Sequence, residues 1–418
     1  MQKKIIPNIL GIILYRVLLD YNYVSIISPL YNYTGFLNQS SAQSTIISYI
    51  ALLILVPFVL PMYKLVKLSA NILVLLFLAS YVPMTSLMRF IPMEQRFFIL
   101  YLAYWIIFMF FYYIIPSITF SNEKPKRSES ILWILLILYI GSVLFVSGRY
   151  FGFRLHFSLS DVYDLRAEER ASNLPILLKY LLPAAGNILP VLLVYFLYRK
   201  KKIIAIIIGF ILLLDFSIGG HKTVIFNIFL CFLGYWFYNY NRISLFSWVL
   251  TFISFLSILE NKLFSTFWIS GMGIRRAFFI PSQLNYDYYD YFSKNEPDYF
   301  RQGLLRWFGF SSPYKEGIQS LIGYHYYGNI ETNANNGLFS DAYFNFNFIG
   351  VFLFPIILII IFKLFDTFSK GLNSKLLILP IIVCTTSFIS GTFSTVLLTD
   401  GILLLFVTLY FMPRFKIA

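Results

Sequence analysis

The stretch from Arg199 to Tyr240 reads RKKKIIAIIIGFILLLDFSIGGHKTVIFNIFLCFLGYWFYNY, a basic cluster followed by two apolar runs that meet at a pair of glycines. A helix needs about 20 apolar residues to cross the hydrocarbon core of a bilayer, and on that ruler Ile203–Ile218 and Val224–Tyr240 read as two short spans. Gly219 and Gly220 allow the tight reversal between them. Lys and Arg are retained in the cytoplasmic connections of membrane proteins, so Arg199 to Lys202 mark the inner end of this hairpin.

The same alternation extends in both directions. The 418 residues are 59% apolar and 20% aromatic but only 12% charged, about half the charged share of a soluble chain, so this is a polytopic membrane protein. Its mean hydropathy of +0.73 agrees. We count about twelve spans in an all-α architecture. The first nine are Ile5–Tyr23, Thr45–Met62, Ala70–Met88, Phe97–Ile118, Ile131–Val146, Leu177–Tyr198, the two above and Ser244–Leu259. Asp341–Phe362, Leu376–Phe393 and Val396–Met412 complete the set. With Lys3 and Lys4 inside, every second span returns to a connection that carries Lys or Arg. Both termini are then cytoplasmic and the spans form a single membrane domain. Arg16 and Asp20 interrupt the first span at a spacing of one helical turn, where they can pair.

The formal charge of +14 would suggest nucleic acid in a soluble protein, but here much of it sits on short loops that face anionic headgroups, so no nucleic-acid partner is expected. Cys231 and Cys384 both fall inside apolar runs, which argues against a disulfide framework or a thiolate metal site. His156, His221 and His325 have no metal-ligand spacing, and no metal or cofactor is expected. No phosphate loop, HExxH or nucleophile-elbow motif occurs.

Two connections expected on the outer side are too long to be turns: a medium one at 148–176 and a large one at 260–340. They retain arginines that the positive-inside bias should have removed. In the first, Arg166 and Arg170 lie one turn apart in DLRAEER, with Asp161 or Asp164 placed to cap the helix start. In the second, Arg275 and Arg276 precede the apolar FFIP. The guanidinium fork suits phosphate oxygens, so these four arginines are candidate pyrophosphate ligands. Lys222, in the GGHKT turn with Asp215 about two helical turns before it, joins them. The large connection also carries YDYYDYF from Tyr286 to Phe292, whose rings and carboxylates suit sugar faces and hydroxyls.

From Asn333 to Phe352 the chain reads NANNGLFSDAYFNFNFIGVF. With the DVYDLRAEERAS segment, the GGHKT turn, Arg306 and Gly317 at an R-x10-G spacing, and the layout of helices around a long outward loop, it resembles the bacterial oligosaccharide repeat-unit polymerases of O-antigen and capsule, the Wzy family. That resemblance implies a GT-C-like membrane glycosyltransferase of polysaccharide biosynthesis, lipopolysaccharide included. It would work on the periplasmic face of the bacterial cytoplasmic membrane.

Donor and acceptor would be glycans linked to undecaprenyl pyrophosphate, membrane lipid would be a further partner, and a chain-length regulator protein could join them. It further implies Arg166, Arg170, Lys222, Arg275 and Arg276 at the pyrophosphate. His325, Asp341 or Glu331 would orient or deprotonate the acceptor hydroxyl, with His325 preferred, and Tyr286, Asp287, Tyr289 and Asn336 would bind glycan. An O-antigen ligase is the nearest enzymatic alternative. A lipid-linked oligosaccharide flippase is the transport alternative, and it ranks lower because charge is concentrated in two outward loops and no internal repeat is visible.

Overall fold

The structure, a computed structural model, describes residues 5–118, 129–156, 162–237, 243 and 245–414, and every regular element among them is helical. In chain order the first helices are α1 (Ile5–Asn22), α2 (Ser28–Tyr31), α3 (Ala42–Met62), α4 (Leu68–Leu76), α5 (Val82–Phe90) and α6 (Gln95–Ile114). Next come α7 (Glu129–Phe151), α8 (Val162–Ala171), α9 (Ile176–Tyr198), α10 (Lys202–Gly219), α11 (Lys222–Phe237) and α12 (Leu245–Phe264). The last are α13 (Ile280–Phe292), α14 (Ile318–Tyr327), α15 (Phe339–Ser369), α16 (Ile378–Ser390) and α17 (Ile402–Phe411). The twelve spans anticipated from the sequence coincide with helical segments among the described residues, but Val396–Met412 is broken at Gly401 and Asp341–Phe362 at Asn347, and residues 238–240 and 244 lie outside the described ones. Nine helices among the described residues are long and apolar enough to cross a membrane, and α11, α16 and α17 are shorter. The chain is an all-α polytopic membrane protein. Its backbone polar groups are satisfied within helices, the arrangement hydrocarbon requires.

Several helices run on through π-helical turns rather than ending. Tyr23–Ile27 extends α1, Phe77–Tyr81 joins α4 to α5, and Ile269–Phe279 leads directly into α13. Prolines at 57 and 61 in α3 and at 183 and 190 in α9 are accommodated inside their helices.

The chain divides into two compact units. The first comprises Met1–Pro116, Asn241–Lys363 and Phe388–Phe393. The continuous helix α4–α5 is its centre, buried along almost its whole length. α1 packs on α12 where Gly11 brings the backbones together: the Thr251 hydroxyl donates to the Gly11 carbonyl at 3.1 Å. A Cβ there would meet the Ser247 hydroxyl at 2.8 Å, so a small residue is what permits the approach. Arg16 and Asp20 pair as expected from their spacing.

The second unit comprises Ser117–Tyr240, Leu364–Ser387 and Ser394–Ala418, with α9 at its centre against α7, α10, α11 and α17. Gly401, in the left-handed region at φ 74°, lies directly over Ala184 of α9.

Within the first unit α15 is not straight. Asn347, at φ 48° and ψ −131°, breaks it. The chain doubles back so closely that a Cβ on Gly350 would collide with the Ala342 carbonyl. Its ψ lies outside the left-handed helical region that asparagine favours, so the break is strained backbone held by the surrounding packing.

Candidate functional site

Residues 265–338 belong to the first unit and fold as part of it. Their spine is the uninterrupted helix formed by the π-helical turns Ile269–Phe279 and by α13. Its apolar side packs on α5 and on the π-helical turns before it, and its rings also meet Tyr23 of the turns that extend α1 and Phe97 of α6, from Phe279 at 5.3 Å and from Tyr289 at 5.2 Å. One face therefore holds the helix in place and leaves the other to carry polar groups.

On that polar face the tyrosines and carboxylates of α13 meet α14. The Tyr327 hydroxyl donates to Asp287 at 2.7 Å and the Tyr326 hydroxyl to Asp290 at 2.6 Å. Lys294 also reaches Asp290 at 2.6 Å, and the Tyr289 hydroxyl donates to Glu94, just before α6, at 2.9 Å. Tyr286 stacks on Tyr289 and sits edge-on to Phe97. His325 is exposed, edge-on to the Tyr291 ring at 5.2 Å, and close enough to Asp290 to favour its charge.

Burial pushes the Asp287 carboxyl up to about 7, against the pull of its Tyr327 hydrogen bond. Burial acts on Asp290 in the same sense, but Lys294 and Tyr326 outweigh it and hold that carboxyl below its ordinary value. Two carboxyls one turn apart thus differ in proton affinity because one has an ammonium partner and the other has only a phenol.

The segment singled out as NANNG is a tie between elements. Asn336 Nδ2 donates to the Pro281 carbonyl at 3.0 Å, Asn285 Oδ1 at 3.2 Å and Ser340 Oγ at 2.7 Å. Gly337 has no room for a Cβ between the Phe388 and Gly391 carbonyls, and its amide donates to the Ile389 carbonyl at 2.9 Å. Asp341 is buried, with one oxygen taken by Asn345 Nδ2 at 2.8 Å and the other by the Phe393 amide at 2.5 Å. Glu331 is exposed, and its amide donates to Asn329 Oδ1 at 2.8 Å. Asp341 and Asn336 therefore brace this corner, while His325 and Glu331 are accessible.

Arg275 lies in the π-helical turns, with its guanidinium carbon 4.0 Å from the centre of the Tyr31 ring and its Nε buried without a hydrogen-bond acceptor. Arg276, beside it, is exposed.

The other expected pyrophosphate ligands belong to the second unit. Asp164 lies inside the first turn of α8 rather than before it, and Asp161 is outside the described residues. Glu168 pairs with Arg154, and Glu169 with His221 at 3.3 Å. Those pairs leave Arg166 and Arg170 outside any ion pair among the described residues. Arg166 is half-buried near His221, its Nε without an acceptor, and Arg170 is exposed. The hydrogen bond from Glu169, opposed by burial, raises the His221 imidazole above its ordinary value. Lys222 opens α11, and its side chain is outside the described residues. Asp215 is buried beside Gly186 of α9.

Sequence reasoning missed Glu94 and Arg89. Both sit at helix ends whose partners, Tyr289 and Asp20, are far away in the chain. Each is a charge at the edge of an apolar run, the one signal that could have drawn attention to them. No protein-family model matches the chain, and no curated protein or solved structure is similar to it.

Proposed function

We propose that this chain is a membrane glycosyltransferase that joins oligosaccharide repeat units carried on a lipid pyrophosphate, at the outer face of a bacterial cytoplasmic membrane. The observation that carries this reading is the composition of one rod. The helix from Ile269 to Phe292 bears Arg275 and Arg276 near one end and the Tyr286–Asp290 face at the other. At about 1.5 Å per residue or slightly less, the two lie roughly 15 to 18 Å apart. A lipid-linked glycan has the same polarity, a doubly charged phosphate group followed by a run of hydroxyls and apolar sugar faces.

In the proposed reaction an acceptor hydroxyl attacks the anomeric carbon of the donor glycan. The new glycosidic bond forms as the bond from that carbon to the phosphate oxygen breaks, and the lipid pyrophosphate leaves with the electron pair. Arg275 and Arg276 stabilise its charge. His325, exposed beside the carboxylate face, takes the hydroxyl proton. Tyr286 and Asp290, the partly exposed members of that face, hold sugar, while Asp287 and Tyr289 are buried and brace them. Asp341 and Asn336 hold the corner rather than the substrate.

A strain lacking the protein tests the reading. It is expected to display single repeat units on its surface glycolipid and no ladder of longer chains. Loss of all repeat units would point instead to ligation or translocation.

A further inference from the structure

Inside the first unit two guanidinium groups share one carboxylate. Arg16 is fully buried and pairs with Asp20. It directs its other donors at Thr85 Oγ1 at 3.3 Å, the Thr85 carbonyl at 2.9 Å and Ser48 Oγ at 3.2 Å. Asp20 accepts in addition from Ser86 Oγ at 2.5 Å, the Tyr49 hydroxyl at 3.1 Å and Arg89 Nη1 at 2.9 Å. The charge of Asp20 is already matched by Arg16, so the trio keeps one positive charge in excess.

That excess belongs to Arg89. Its Nη1 is fixed on Asp20, but its Nε is buried with no acceptor, and the side chain remains 28% exposed. A cation held at a membrane helix end without a counter-charge is costly, and an anion that joins it removes the cost. Arg89 is the last residue but one of the span Leu68–Phe90, which puts its open edge where headgroups lie. Its own carbonyl accepts from Ser44 Oγ at 2.9 Å, so the N-terminal end of α3, with its positive partial charge, lies alongside.

We propose that Arg89 is a phosphate-binding residue. Its free edge takes a phosphate-bearing anion, from an anionic phospholipid headgroup or from solution, and this anion completes the charge balance of the Arg16–Asp20–Arg89 cluster. The guanidinium fork favours phosphate over a spherical anion. The site stands apart from the glycosyl-transfer reading and does not depend on it.

The full-length protein in nanodiscs of phosphatidylcholine, with and without phosphatidylglycerol, tests this through its unfolding midpoint and through the phosphatidylglycerol it retains in native mass spectrometry. A headgroup source predicts a midpoint several degrees higher with phosphatidylglycerol. Arg89→Gln, which leaves Arg16 and Asp20 as a neutral pair, is expected to remain folded in phosphatidylcholine, lose that shift and retain the lipid roughly five- to tenfold more weakly. Arg89→Lys keeps the charge and is expected to keep most of the shift. A solution source predicts instead that inorganic phosphate raises the midpoint in phosphatidylcholine alone, again only with Arg89 present. If neither addition stabilises the wild type, or if Arg89→Gln responds to both as the wild type does, the proposal is overturned.

Discussion

The two long connections are similar in composition and different in construction. In 152–175 the one described helix is α8, and its carboxylates pair with cations: Glu168 with Arg154 of the same connection and Glu169 with His221 elsewhere in the unit. In 265–338 the buried carboxylates are taken by neutral donors, Asp287 by the Tyr327 hydroxyl and Asp298 by the Gln302 amide and Ser312 hydroxyl, while Asp290 and Glu296 pair with Lys294 and Arg301 of the same segment. Both leave their adjacent or near-adjacent arginines outside ion pairs, by opposite routes. The second connection is therefore part of the fold, and damage to it should cost stability. The first is packed on one side, with Leu165 buried and α8 against α10, and it is at its exposed residues, such as Arg170, that damage should cost function alone.

The largest effect that would break this contrast lies at the glycines of the second region. Gly337→Ala and Gly350→Ala each force a methyl group onto backbone carbonyls, and both are expected to abolish accumulation of folded protein in membranes. Normal accumulation would show that this corner is looser than described.

The next test is pH. The Asp287 carboxyl moves from its ordinary value of 3.8 to about 7 because it is buried, so the folded state binds its proton more tightly than the unfolded state does. Stability from this group is fully present below the ordinary value and is lost as pH rises through about 7, by about 4 kcal/mol at most. Thermal unfolding of the purified protein across that window should show the fall. Asp287→Asn should flatten it, and an unchanged slope in that variant would reject the assignment.

A somewhat smaller loss is expected for Asp341→Ala. It removes the acceptor of the Phe393 amide and one of the two acceptors of Asn345 Nδ2, whose bond to the Asp341 carbonyl remains, at about 1 to 3 kcal/mol in all. Denaturation in detergent measures it, and a change below about 0.5 kcal/mol would mean that Asp341 is not the brace described.

At the small end, Arg170→Ala should shift stability by less than about 0.5 kcal/mol while removing the ladder of long glycans. Equal loss of stability in the two connections would erase the contrast between them.

The spans were legible in the sequence because a membrane crossing is set by length and apolarity; nine helices among the described residues qualify, and the breaks at Asn347 and Gly401 inside two anticipated spans were not foreseen. The Arg16–Asp20 pair was legible because its spacing is one helical turn. What escaped depends on partners far apart in the chain. Arg89 reaches Asp20 across 69 residues, and Asp341 reaches Phe393 across 52. The break at Asn347 escaped for another reason, since Asp341–Phe362 is apolar enough overall to read as one span and the close approach of Gly350 to Ala342 is not visible in the sequence. The roles proposed for Arg166, Arg170, Arg275 and Arg276 rest on their charge on the expected outer side, and no ion pair among the described residues takes them up.

The most direct test of the proposed polymerase activity is reconstitution. Purified protein in liposomes, given a lipid-pyrophosphate-linked oligosaccharide, is expected to yield a ladder of multiples of that unit and free lipid pyrophosphate. Arg275→Ala is expected to yield neither. Recovery of only the starting oligosaccharide from an intact, folded wild-type protein would contradict the account.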